Sequence, residues 1–185
     1  MESWTSSELI FKGKIFSVRT GTVRLENGLS AYREVVEHPG GVCVLPWTGR
    51  SVILVRQFRI ALAEDIIEAP AGKLEGPNDD PQARGRVELE EEVGYRAEHM
   101  ISAGVIYGTV GFCSEKIHLF VASGLTPVLV VAGDVDAERQ AARIDGREVL
   151  AQEGFGLVAD VEVHVIQPAL LHFEVDRARH HVARS

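Results

Sequence analysis

The stretch from Asp80 to Gly94 constrains this chain more than any other. Asp80-Pro81 reads as a helix start, with aspartate as N-cap and proline at the first helical position. Gly94 reads as the glycine that ends a helix, so the spacing predicts a helix over about 81–93. That helix carries Glu88, Glu90, Glu91 and Glu92. Positions 88, 91 and 92 are i, i+3 and i+4 and share one face, whereas Leu89 and Val93 fall on another and can anchor the helix to a core. Glu90 points elsewhere and is expected in solvent. Like charges on one face repel, and a hard divalent cation with oxygen ligands, above all Mg²⁺, removes the repulsion. A solvated acidic face is the bland alternative.

Strand patterns surround the helix. Ile15 to Arg24 alternates apolar and polar residues, Glu26-Asn27-Gly28 is a hairpin turn, and Ala31 to Glu37 resumes the alternation. After His38-Pro39-Gly40-Gly41, two β-branched strands follow at Val42 to Pro46 and Ser51 to Phe58. Pro70, Gly72, Gly76, Pro77 and Asn78 mark a loop before the helix. Further strands are predicted at Ile101 to Tyr107, Ile117 to Ala122 and Leu125 to Ala132. Short helical spacing at Arg147 to Gln152 and a longer one at Ala169 to Arg184 close the chain. No repeat or low-complexity linker divides the 185 residues, so a single α/β domain is expected over 1–185.

The charge balance narrows the partners. With 19 Lys+Arg against 27 Asp+Glu, the net charge of −8 disfavours nucleic acid and anionic membranes. Residues 64–98 hold 11 of the acids and only 4 of the bases, so nearly all the surplus lies around the predicted helix. No apolar run approaches the ~20 residues that span a bilayer. Cys43 and Cys113 lie far apart and read as small buried hydrophobes, which with the absence of a signal pattern makes the cytoplasm the expected compartment. The seven histidines form no zinc set, with His118 read as structural and His180-His181 as tail. Ser114 lacks a nucleophile elbow, and no phosphate-binding P-loop occurs.

Flanking residues give the helix a more specific reading. Gly72 opens, and Glu88-Leu89-Glu90-Glu91-Glu92-Val93-Gly94-Tyr95 closes, a segment that resembles the Nudix hydrolase box, G-x5-E-x7-R-E-U-x-E-E-x-G-U with U apolar. VVEHPGGVCVLP, LVRQFR, EAPAGKLE and GFCSEKIHLFVA resemble the ADP-ribose pyrophosphatase branch, over about residues 4 to 127. The resemblance implies an α/β/α sandwich with a mixed β-sheet at 41–185, preceded by an N-terminal strand region at 1–40 that contributes to a homodimer. It implies Mg²⁺-dependent hydrolysis, or Mn²⁺-dependent in its place, of a small nucleotide sugar, ADP-ribose giving AMP and ribose 5-phosphate. By the same resemblance Glu88, Glu92, Glu91 and the Ala71 carbonyl hold the metal, and Glu91 also orients water. Arg59, ahead of Arg56, clamps a phosphate, Glu68 and Glu75 support the metal, the ribose or the loop, and Gly111 and Glu115 belong to a substrate loop. The general base is expected on the acidic loop Gly133 to Arg139, at Glu138 and then Asp136.

Three departures accompany the match. One extra residue puts Asp79 at the early acidic position of the box. Val87 stands where the box has arginine, and Arg86 lies ~100° away around the helix. Gly85 further weakens the helix by about 1 kcal/mol relative to alanine. Val110 replaces the proline of the branch's Pro-Gly-Phe turn. Val87 and Val110 imply weakened activity, with Val87→Arg expected to raise it. They keep open two alternatives: another sugar nucleotide such as GDP-mannose, or a ligand-binding module with little catalysis.

Overall fold

A computed structural model describes residues 1–128 and the strand at 162–166. Strands β1 (Ser3–Lys12), β2 (Ser17–Arg24) and β3 (Ser30–Glu37) form an antiparallel sheet in that order. The turn between β2 and β3 closes with the Gly28 amide on the Leu25 carbonyl at 3.0 Å, Gly28 taking φ 83° as such a turn requires. Arg19 Nε bonds Glu37 Oε1 at 2.6 Å across the pair.

The remaining strands are β4 (Gly41–Pro46), β5 (Ser51–Arg59), β6 (Glu64–Glu68), β7 (Ala71–Lys73), β8 (Tyr95–Ile106), β9 (Ile117–Pro127) and β10 (Glu162–Ile166), with α1 at Pro81–Val93. One mixed sheet has the order β7-β4-β9-β8, with β4 and β9 parallel and both outer pairs antiparallel. A second has the order β10-β5-β6, with β10 parallel to β5. Val42, Val44, Ile53, Val55, Ala97, Met100, Phe120 and Ala122 supply the sheets' share of the core, and Leu89 and Val93 of α1 pack into it. Apolar burial of this kind, at roughly 25 cal/mol per Å², offsets the helix's charged composition.

The helix is capped as its sequence requires. Asp80 accepts the Gln82 amide at 2.9 Å, and Gly94, at φ 70°, donates to the Glu90 carbonyl at 3.1 Å. Gly85 is buried, and a Cβ there would sit 3.1 Å from Val44 Cγ2. The glycine that weakens the helix therefore lets it lie close on β4.

Six strands differ from expectation. β1 is exposed along its whole length, so no burial alternation marks it in the sequence. β6 and β7 are short and are defined by pairing, with β7 lying in what reads as loop. β10 lies between the predicted C-terminal helices. β8 begins at Tyr95 rather than Ile101, because Ala97 and Met100 face the core between polar residues. Leu125 continues β9 to Pro127 instead of opening a new strand. The rest of that predicted strand, the acidic loop at 133–139 and both predicted C-terminal helices lie outside the described residues, as does any test of the second helical layer that the resemblance implies.

Candidate active site

Glu88 and Glu92 lie one turn apart on α1 and both point inward, 0% and 6% exposed. They face β7, which pairs with β4 in the register Val42 to Gly72 and Cys43 to Ala71. Glu92 Oε2 accepts the Ala71 amide at 3.0 Å. Gly72 abuts the Glu88 carboxylate so closely that a Cβ there would fall 1.8 Å from Oε1 and 2.2 Å from Cδ. The glycine thus reserves the space for a carboxylate. Glu91 is half-buried beside them. Asp79 does not join this group: its Oδ2 accepts the Glu75 and Gly76 amides at 2.5 and 3.2 Å, closing the loop before the helix. Glu75 is exposed and reaches Lys73 at 3.4 Å.

Val87 is an exposed residue, and Arg86 Nη1 donates to the Ala97 carbonyl at 2.8 Å. The guanidinium on Glu88 belongs to Arg84, four residues earlier, whose Nη2 pairs with Oε1. Spacing alone could have found it, since i and i+4 are neighbours on a helix.

Glu90 is not simply solvated. Arg96 Nε and Nη2 bond its two carboxylate oxygens at 2.7 and 2.9 Å, tying the end of α1 to β8. The Arg96 hydrogen bond holds the Glu90 carboxyl below the ordinary value of 4.5. A lowered folded pKa stabilises the native state above the unfolded pKa, and the gain disappears as pH falls through the folded value. The melting-temperature gap between the wild type and Glu90→Gln is therefore expected to be open at neutral pH and to close as the pH falls from 4.5 through the lowered Glu90 value.

On β5 and β6, Arg59 Nη2 and Glu68 Oε1 form an ion pair at 2.5 Å. Arg56 Nε is buried without a hydrogen-bond partner among the described residues. Cys43 joins this group to the helix: burial, then Glu68 and Glu92, raise its thiol pKa. A raised pKa keeps it a neutral thiol, in line with its reading as a small hydrophobe. His118 on β9 is half-buried, and burial lowers its pKa, as befits a structural histidine.

Gly111 and Glu115 belong to a different cluster. Phe112 and Cys113 donate to the Thr109 carbonyl at 3.1 and 2.9 Å, which places Val110 at the second position of a turn, where proline is favoured. The loop is stitched to the end of β3, with Val36 N to Phe112 O at 2.7 Å and Ser114 N to Val36 O at 2.9 Å. Ser114 Oγ accepts the His38 amide at 3.0 Å, and His38 Nδ1 lies 3.7 Å from Glu115 Oε1. Nothing in the sequence alone announced this clasp, because its halves are 76 residues apart. Glu138 and Asp136 lie outside the described residues.

The structure therefore gathers Ala71, Gly72, Arg84, Glu88 and Glu92, and pairs Arg59 with Glu68. No three acidic, histidine or cysteine side chains converge as a ready-made metal cluster among the described residues. No described helix is long and apolar enough to cross a membrane.

No family model matches the chain. It is 37% identical over 164 residues, 88% of its length, to the ADP-ribose pyrophosphatase of Bacillus subtilis, covering 86% of that protein. It is also 40% identical over 133 residues to the methanol dehydrogenase activator of Bacillus methanolicus, covering 71% of each chain. The fold matches a crystal structure of an ADP compounds hydrolase with a TM-score of 0.62, over 72% of each chain at 21% identity. With the box glycine Gly72 packed on Glu88, and with this length of similarity, the chain belongs to the Nudix hydrolase family, in its ADP-ribose pyrophosphatase branch.

Proposed function

We propose that this enzyme hydrolyses the pyrophosphate bond of a nucleoside diphosphate sugar, with ADP-ribose as first substrate and AMP and ribose 5-phosphate as products. The observation that carries the reading is the pair of inward carboxylates, Glu88 and Glu92, seated on Ala71 and Gly72. The Bacillus subtilis relative supports the substrate class.

The donor chemistry fits a divalent cation. Glu88, Glu92, the half-buried Glu91 and the Ala71 carbonyl are hard oxygen donors of the kind that hold Mg²⁺ or Mn²⁺. Such an ion would shield the pyrophosphate charge and acidify a bound water. The chain's own residues do the rest. Arg59, held by Glu68, and Arg56 present guanidinium groups to the phosphates, whose charge their forked donors match. Gly111 and Glu115, fixed by the clasp to His38, offer a backbone approach and an acceptor for the sugar. Glu91 orients a water whose oxygen bonds to one phosphorus while Glu138 takes its proton, and the bridging P–O bond breaks with its electron pair leaving on the other phosphate. The chain acts as one domain and pairs with a second copy through its N-terminal sheet. The exposed Trp4, Leu9, Ile10 and Phe11 support that pairing, which the mass in solution checks.

The deciding experiment incubates the protein with Mg²⁺ and a panel containing ADP-ribose, GDP-mannose and other sugar nucleotides, and identifies the products. Release of AMP from ADP-ribose at the highest kcat/KM is expected. Binding of ADP-ribose without turnover of any panel member would overturn the reading in favour of a ligand-binding module.

A further inference from the structure

We infer that Arg84 is the positioning residue for Glu88, setting from one turn upstream the direction in which that carboxylate meets a cation. Three observations carry the assignment. Glu88 is fully buried, and a buried carboxylate is costly unless countercharge and hydrogen bonds surround it. Arg84 supplies countercharge at i−4, its Nη2 on Glu88 Oε1, while its own side chain stays 37% exposed. The neighbouring candidates are committed elsewhere: Val87 is apolar and exposed, and Arg86 donates to the Ala97 carbonyl.

The geometry makes this more than a surface pair. Oε1 is bounded by the Gly72 backbone on one side and meets Arg84 Nη2. With one oxygen tied, the carboxylate cannot rotate freely, and the direction of Oε2 is fixed. Outer partners that orient a ligand in this way typically contribute 10–100-fold to metal affinity or activity. The contact is a single one, from one guanidinium nitrogen, so an ammonium on a shorter stem can reproduce it, whereas a neutral amide cannot supply the charge.

The inference rests on the reading of Glu88 as a cation ligand, and its test separates the two. Calorimetric titration with Mg²⁺ alone, without substrate, compares the wild type with Arg84→Gln and Arg84→Lys. Arg84→Gln is expected to bind Mg²⁺ about 10–100-fold more weakly, and Arg84→Lys to stay within about 3-fold of the wild type. With substrate, kcat of Arg84→Gln should fall in parallel while KM stays unchanged. Wild-type affinity in Arg84→Gln, tighter binding, or equal weakening in both variants would overturn the role of Arg84 and leave the site intact. Failure of the wild type itself to bind Mg²⁺ would overturn both.

Discussion

Gly72→Ala is expected to reduce kcat/KM by at least about 100-fold while the protein remains folded. The added Cβ would lie 1.8 Å from Glu88 Oε1, 2.2 Å from Cδ and 2.5 Å from Cγ. These separations cannot be absorbed by tilting the end of a side chain, because three successive atoms of Glu88 are in the way. Either the carboxyl leaves its seat, breaking its contact with Arg84, or β7 withdraws from α1 and the Ala71 amide loses Glu92. Both routes displace a carboxylate by more than an ångström, and misplacement on that scale costs about 10²-fold in catalysis. The fold has independent anchors in Leu89 and Val93, both fully buried, so circular dichroism should show the native helix. Gly76→Ala is the control: nothing lies within 4 Å of its Cβ position, and its rate should match the wild type. A Gly72→Ala protein with wild-type kinetics would mean that α1 does not seat Glu88 against β7 during turnover.

The same contact shows what could and could not be read from the chain. The helix was legible because its signals are local: an aspartate, a proline and a glycine at fixed offsets define both ends, and apolar spacing defines the buried face. β4 and β5 were legible through their β-branched density. β1 was not, because a strand exposed on both faces leaves no alternation to detect. β7 was not, because three residues become a strand only through a partner chosen elsewhere in the fold. The site followed the same division. Glu88, Glu92 and Gly72 are legible in the box, but the guanidinium that pairs with Glu88 stands one turn away at Arg84, not at the adjacent box position. Val87→Arg, expected from the sequence alone to raise the rate, should now have little effect, because Arg84 already occupies Glu88 Oε1. Glu90 read as solvated because its partner, Arg96, lies past the Gly94 turn, where helix periodicity no longer applies. The clasp between Ser114 and His38 is a tertiary contact and has no local signature.

Glu92→Gln should separate catalysis from folding most cleanly. Glu92 is nearly buried, and its Oε2 accepts the Ala71 amide at 3.0 Å. Glutamine has the same length and can turn its carbonyl oxygen toward that amide, so the contact between α1 and β7 survives. What disappears is the charge. A cation that relies on this oxygen then loses a ligand rather than a supporting residue, so turnover should fall by more than the about 10–100-fold that outer partners contribute. Stability should move the other way. Without divalent cation, a charge buried beside Glu88 carries desolvation and like-charge repulsion, both of which a neutral isostere removes. The melting temperature in chelator is therefore expected to be unchanged or raised, while the upward shift that Mg²⁺ gives the wild type is lost. Opposite signs for activity and stability are the mark of a residue kept for chemistry at the expense of the fold. Equal rates in both proteins would remove Glu92 from the site, and a large loss of stability in chelator would assign it a structural role.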